Sequence, residues 1–200
     1  VTPAVLLVDY GEVISTPQPA ASISRMAELA ELDEDKFANR YWASRPAYDA
    51  GCAAADYWAR VLDQNTVAAE LRDALVEADM HSWTQLDQRV LDLLTTERQR
   101  GTRLALLSNA PHELADAVSA LPAFTVFDEL FFSSRLGQVK PDPEIFRLVL
   151  DRLDEPAAGV VFVDDRAENI VAAQRIGLGT LHFTSYDRLR DDLTQLRTRR

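Results

Sequence analysis

Two hundred residues, 47% hydrophobic and 26% charged, make an ordinary globular chain with material for one good-sized core, or a core with a smaller insert, and exclude a disordered or fibrous one. The net charge of -11 argues against nucleic acid or an anionic membrane surface as partner, since both need a basic footprint. The single cysteine, Cys52, permits neither an internal disulfide nor a cysteine-based zinc site, and suits a reducing, cytoplasmic setting.

The first apolar run, Val5 to Val8, is continuous and ends at Asp9, as a strand buried on both faces of a parallel sheet does. It is too short to span a bilayer and lacks a basic flank, so neither a signal peptide nor a membrane anchor is expected. From Thr16 to Arg100 the pattern turns helical. Ser24 can cap a segment through Leu32, and Asp33 one from Asp35 to Ser44, with Phe37, Tyr41 and Trp42 on one face. Pro46 and Gly51 should break the chain before a helix from Ala53 to Leu62. Further helices are expected over Val67 to Ala78 and Gln85 to Arg100, the last stopped by Gly101.

Beyond Gly101 strands and helices alternate. Strands are predicted at Arg103 to Leu107, Glu129 to Phe132, Val160 to Val163 and Thr180 to Phe183. Helices are predicted from Pro111, over Pro143 to Leu153, Ala167 to Ile176 and Tyr186 to Arg197. This order predicts an α/β fold, a Rossmann-like parallel sheet with right-handed crossovers. Residues 1–15 and 101–200 would form the core, with 16–100 an inserted helical subdomain.

The polar residues that end these runs differ in kind: Asp9, then Ser108 with Asn109, then Asp164 with Asp165. Carboxyl ends of parallel strands converge on one crevice. Asp9 alone reads as a cap, a metal ligand or a nucleophile that takes up a phosphoryl group. Asp164 and Asp165 change the balance, because carboxylates gathered together repel unless a cation intervenes. Mg²⁺ fits an oxygen-only set without histidine or thiol. Ser108 and the following backbone N–H can hold a phosphate oxygen, and Lys140 would bring positive charge to nucleophile and phosphate.

Four segments in order, Asp9-Tyr10-Gly11-Glu12-Val13, Leu107-Ser108-Asn109, Val139 to Phe146 around Lys140, and Phe162-Val163-Asp164-Asp165 with Asn169, together resemble the motifs of the haloacid dehalogenase superfamily. The resemblance spans essentially the whole chain, with the helical insert where that family carries its cap, and is nearest its epoxide-hydrolase-like and sugar-phosphatase branch. It implies Mg²⁺-dependent hydrolysis of a small phosphorylated substrate. By it, Asp9 is the nucleophile, Ser108 and Asn109 bind substrate, and Lys140 pairs with Asp9. Asp9, the Gly11 carbonyl, Asp165 and Asp164 serve the metal, while Asn169 orients Asp165.

One position departs from the family pattern. Phosphatases of this kind carry a second aspartate two residues after the nucleophile, which protonates the leaving group; here that residue is Gly11. Three outcomes are open: a substrate whose leaving group needs little protonation, another acid such as Glu12 or a residue of the insert, or a poor catalyst kept for binding or regulation. Carbon–halogen cleavage is disfavoured, because two unneutralised aspartates would repel a haloacid. Tyr48, Tyr57 and Trp58 would either line the crevice or fill the insert's core, and Arg45 would hold a second polar group of the substrate. His112 is expected at the surface, and Arg166 in a salt bridge. An exposed aromatic face would favour a homodimer, a buried one a monomer.

Overall fold

The strands β1 (Val5–Val8), β2 (Arg103–Ser108), β3 (Glu129–Phe132), β4 (Val160–Asp164) and β5 (Gly179–His182) form one parallel sheet in the order β3-β2-β1-β4-β5. The structure is a computed structural model that describes residues 3–198; the outer core limits expected at 1 and 200 lie outside the described residues. The helices are α1 (Ala20–Leu29), α2 (Glu34–Asp49), α3 (Ala54–Leu62), α4 (Ala69–Trp83), α5 (Gln88–Gln99), α6 (His112–Ala120), α7 (Ser133–Leu136), α8 (Pro143–Leu153), α9 (Ala167–Arg175) and α10 (Tyr186–Thr198).

Side chains alternate across the pleat, so each strand feeds two cores. Leu6, Val8, Leu104 and Leu106 pack with Val90 and Leu94 of α5, Leu114 of α6 and Leu189 of α10. Val5, Leu7, Ala105 and Leu107 pack on the other side with Phe146 and Val149 of α8 and Ala173 of α9. Burial on both faces is why these strands lack polar alternation. From the central β1 the chain crosses to β2 on one side and later to β4 on the other. The crevice of an open α/β sheet lies at such a reversal, beyond the carboxyl ends.

Helices α1 to α4 enclose a third core of Met26, Phe37, Tyr41, Tyr48, Tyr57, Trp58, Val61 and Leu75. Helix α5 instead packs on the sheet, so the helical unit with its own core is shorter than the 16–100 expected. The two strands of chain that enter and leave it pair antiparallel at Ser15 and Leu86, with Thr16 N donating to Gln85 O at 2.7 Å and Asp87 N to Ile14 O at 2.8 Å.

Several boundaries differ from expectation. Pro46 does not break the helix but lies inside α2, which runs on to Asp49. Tyr41, Arg45 and Tyr48 recur on one buried face, and that burial outweighs the backbone bond lost at proline. Gly51, at φ +102°, ends the turn, where an added Cβ would lie 3.1 Å from the Ser134 carbonyl oxygen. Helix α1 starts at Ala20 without a side-chain cap, and Asp33 caps α2 through Lys36 N at 3.1 Å. Helix α4 continues to Trp83 because Asp79, Ser82 and Trp83 are buried. The single-turn α7 and the 3₁₀ turns Pro122–Val126 and Ala157–Gly159 are too short to carry a periodic signal. Trp42 is 48% exposed rather than buried with Phe37 and Tyr41, its ring edge-on to Tyr41 with centroids 4.9 Å apart. Among the described residues, no helix is long and apolar enough to cross a membrane.

Candidate active site

Asp9 follows β1, its N–H donating to Val163 O of β4 at 2.9 Å, so the neighbouring strand fixes its backbone. Its Oδ1 accepts from Tyr10 N at 2.7 Å and pairs with Lys140 Nζ at 2.7 Å. Oδ2 has no protein partner among the described residues, and the side chain is 8% exposed. Lys140 Nζ also meets Asp164 Oδ2 at 2.7 Å and Leu107 O at 3.1 Å. An ammonium has three protons, and all three have protein acceptors here. Lys140 therefore neutralises and positions Asp9 rather than reaching for a phosphate.

Asn109 holds Lys140 in place. Its Nδ2 donates to Lys140 O at 2.8 Å, and its Oδ1 accepts from Lys140 N at 2.8 Å. The side chain expected to bind substrate is thus committed to the lysine loop; only the backbone of Asn109 is left for a ligand. Ser108 is buried, and among the described residues its hydroxyl makes only a long 3.4 Å contact with Asn109 O, so it stays available.

The acidic pair divides sharply. Asp164 is fully buried, and its two oxygens accept from Lys140 Nζ, Arg166 N at 2.8 Å and Asn169 Nδ2 at 3.0 Å to each. Asn169 therefore orients Asp164, not Asp165 as expected. Asp165, one residue on, is less buried and lines the cavity. Arg166 pairs with Glu168 at 2.5 Å, and His112 is exposed.

Burial drives the electrostatics. It pushes the Asp9 carboxyl above the usual carboxylate range; Lys140 pulls it down, and Asp164 and Asp165 push it up again. Asp165 is pushed up to about 6, mainly by burial and then by Asp164. Burial works against the charge on Lys140, but Asp9 and Asp164 outweigh it and hold Lys140 above its ordinary value. Oxygens of Asp9, Asp164 and Asp165 lie within 4.8 Å of one another. Three carboxylates against one lysine leave room for a further cation, and the all-oxygen donor set suits a hard one.

A cavity of about 630 Å³ opens above Asp9, Ser108 and Asp165. The helical insert supplies its far wall: Trp42, Arg45, Pro46, Asp49 and Trp83. Sequence reasoning missed four of these five, although the i, i+4 spacing of Arg45 and Asp49 was a readable signal. Tyr48, Tyr57 and Trp58 are buried in the insert's own core, so the core reading of these aromatics is the one observed.

A parallel α/β sheet with a buried lysine between two aspartates and a third carboxylate at its switch point defines a class of acid-rich hydrolase sites. The chain belongs to the haloacid dehalogenase-like hydrolases, whose family model matches residues 9–177. It is similar to the sesquiterpene phosphatase astK of Aspergillus oryzae, 35% identical over 102 residues, covering 49% of this chain and 50% of that protein. The chain thus spans about half the length of that relative. Similarity to the ribulose-1,5-bisphosphate 5-phosphatase of Halopiger xanaduensis is 30% over 179 residues, covering 82% of this chain and 75% of that one. In fold it resembles a HAD family enzyme of Bacteroides thetaiotaomicron, solved as a complex with magnesium and inorganic phosphate, at TM-score 0.70 and 21% identity, covering 90% and 93% of the two chains.

Proposed function

We propose that the chain hydrolyses a small phosphate monoester through a phosphorylated Asp9, with α1 to α4 as the cap over the site. The observation that carries this reading is the split role of the Asp9 carboxylate. Oδ1 is held by Lys140 and Tyr10 N, while Oδ2 is free at the floor of the cavity. A carboxylate held at one oxygen is oriented for attack through the other. Phosphatase names among the relatives support the reaction class.

Asp9 Oδ2 would attack phosphorus while the bond to the leaving oxygen breaks; water then attacks phosphorus and releases phosphate and free Asp9. The Ser108 hydroxyl would hold a phosphate oxygen, and Lys140 would favour the ionised form of Asp9 against its burial. Asp9, Asp165 and the Gly11 carbonyl are the residues that would hold Mg²⁺, with Asp164 as the buried anchor of Lys140. Bound there, Mg²⁺ supplies charge neutralisation of the carboxylates and of the transferred phosphoryl group. The mixed wall of Trp42, Trp83, Arg45 and Asp49 suits a leaving group with both hydrocarbon and hydroxyl surface, sugar phosphates being the first to screen.

p-Nitrophenyl phosphate tests the reaction, since nitrophenolate leaves without a proton. Phosphate release is expected with Mg²⁺ and should fall to background with chelator. No release from folded protein that binds Mg²⁺ would replace hydrolysis with a binding role.

Stability should report the metal independently. Asp165 rises from 3.8 to about 6 on folding, and Asp9 also rises. Between its ordinary and raised values such a carboxyl binds more proton folded than unfolded, so the metal-free protein loses stability as pH climbs through that window. Mg²⁺ competes with those protons. At 100 times its Kd it should add about 2.7 kcal/mol, roughly 5–10 °C in Tm. At one fixed Mg²⁺ concentration the increment is expected to be larger at pH 7.5 than at pH 5.5, because proton competition weakens binding at the lower pH; an increment independent of pH would place the ion elsewhere.

A further inference from the structure

The usual leaving-group acid is missing at Gly11, where an added Cβ would meet nothing within 4 Å. We propose that Asp49, in the last turn of α2, is the acid that protonates the leaving oxygen, an inference that rests on the phosphatase reading above. Asp49 stands in the cap wall of the cavity whose floor is Asp9.

Charge balance around Asp49 supplies the proton. Arg45 is a single guanidinium shared by two carboxylates, with Nε to Asp49 Oδ1 at 2.9 Å and Nη1 to both oxygens of Asp79 at 3.2 Å. Asp79 is fully buried, Arg45 is 7% exposed, and the Asp49 side chain is 15% exposed. A buried and a largely buried carboxylate on one cation are relieved when one of them takes a proton.

The hydrogen bonds select which one. Asp79 also accepts from Tyr41 Oη at 2.5 Å, and that hydroxyl in turn accepts from Arg45 Nη1 at 2.6 Å, as suits an anion. Asp49 Oδ2 has no partner among the described residues. A proton on Oδ2 would find its acceptor in the leaving oxygen of a substrate. Burial, reinforced by Asp79 and opposed by Arg45 and Arg166, raises the Asp49 carboxyl above the ordinary carboxylate range. Glu12, at the cavity rim, is exposed and lies in no such cluster.

The turn that carries Asp49 is tied to the catalytic core. Ser133 Oγ donates to Asp49 O at 2.5 Å and accepts from Ala110 N at 2.9 Å, just after Ser108 and Asn109. Gly51 follows, packed close against Ser134 O. As Asp9 Oδ2 bonds to phosphorus, the electron pair of the breaking bond passes to the leaving oxygen, which takes the proton from Asp49 Oδ2. Asp49, now ionised, accepts a proton from the water that attacks phosphoaspartate, and both carboxyl groups are restored.

The test is kcat/KM with Mg²⁺ on phosphate esters running from p-nitrophenyl phosphate to an alkyl phosphate. The wild type should depend weakly on leaving-group basicity and Asp49→Asn steeply, its loss being about 10²- to 10⁴-fold greater on the alkyl ester. Gly11→Asp in the Asp49→Asn background should restore the weak dependence. Equal dependence in wild type and variant would overturn Asp49 as the acid and leave the phosphatase reading standing. Failure of the wild type to hydrolyse any ester would remove both. Should Asp49→Asn not fold, the wild-type pH profile decides. An alkaline fall in kcat/KM on the alkyl ester but not on p-nitrophenyl phosphate supports Asp49; the same fall on both overturns it.

Discussion

Asp9→Asn is expected to lower phosphate release by at least about 10⁴-fold while the protein stays folded. An amide cannot form the phosphoryl bond, yet it has nearly the shape of the carboxylate it replaces. Lys140 would keep Asp164 and the Leu107 carbonyl as acceptors, so no buried cation is stranded. Burial outweighs Lys140 in setting the Asp9 carboxyl high, which means that its charge is costly to the metal-free fold. The variant should therefore match or exceed the wild type in metal-free Tm and gain less from Mg²⁺. Steady-state turnover beside thermal unfolding checks both halves. Turnover near the wild-type rate would rule out Asp9 as nucleophile.

Lys140→Met should have the opposite signature. It leaves Asp9 and Asp164 facing each other without their shared cation, and removal of one partner from a buried ion pair costs about 3–5 kcal/mol. For a chain of this size that is a fall of roughly 10 °C in Tm, with loss of turnover beside it. Mg²⁺ should recover more Tm in this variant than in the wild type, because the ion would face an extra unneutralised carboxylate. An unchanged Tm would show that the lysine is not what holds Asp9 and Asp164 together in the fold. Asp9→Asn thus separates chemistry from stability, and Lys140→Met couples them.

The strands, their parallel pairing and the convergence of Asp9, Ser108, Asp164 and Asp165 were legible in the chain, whereas the order of the strands across the sheet was not. Apolar runs buried on both faces leave no room for polar residues except at their ends, so the runs themselves mark where side chains emerge. Partner choice among those side chains was not legible. Asp164 and Asp165 are adjacent and chemically identical, yet one is enclosed by Lys140, Asn169 and Arg166 N while the other faces the cavity. Asp164 is the last residue of β4 and Asp165 the first of the loop beyond it, and which of them is enclosed depends on the Lys140 loop and α9 that pack there. Asn109 gives the same lesson: its amide could serve a ligand or the Lys140 backbone, and the loop geometry selects the backbone.

The helical insert shows the limit most clearly. Periodicity located its helices, but Pro46 was read as a break because propensity is local, whereas the burial of Tyr41, Arg45 and Tyr48 that carries α2 onward is not. That extension is what brings Asp49 over the site. The sequence by itself determined the class of fold and the residue types available to its crevice, because short-range apolar patterning dictates strands and helices. Only the tertiary structure decided which carboxylate meets the lysine, which faces the cavity and which residues of the helical insert line that cavity with Asp9, because those pairings are set by packing between segments far apart in the chain.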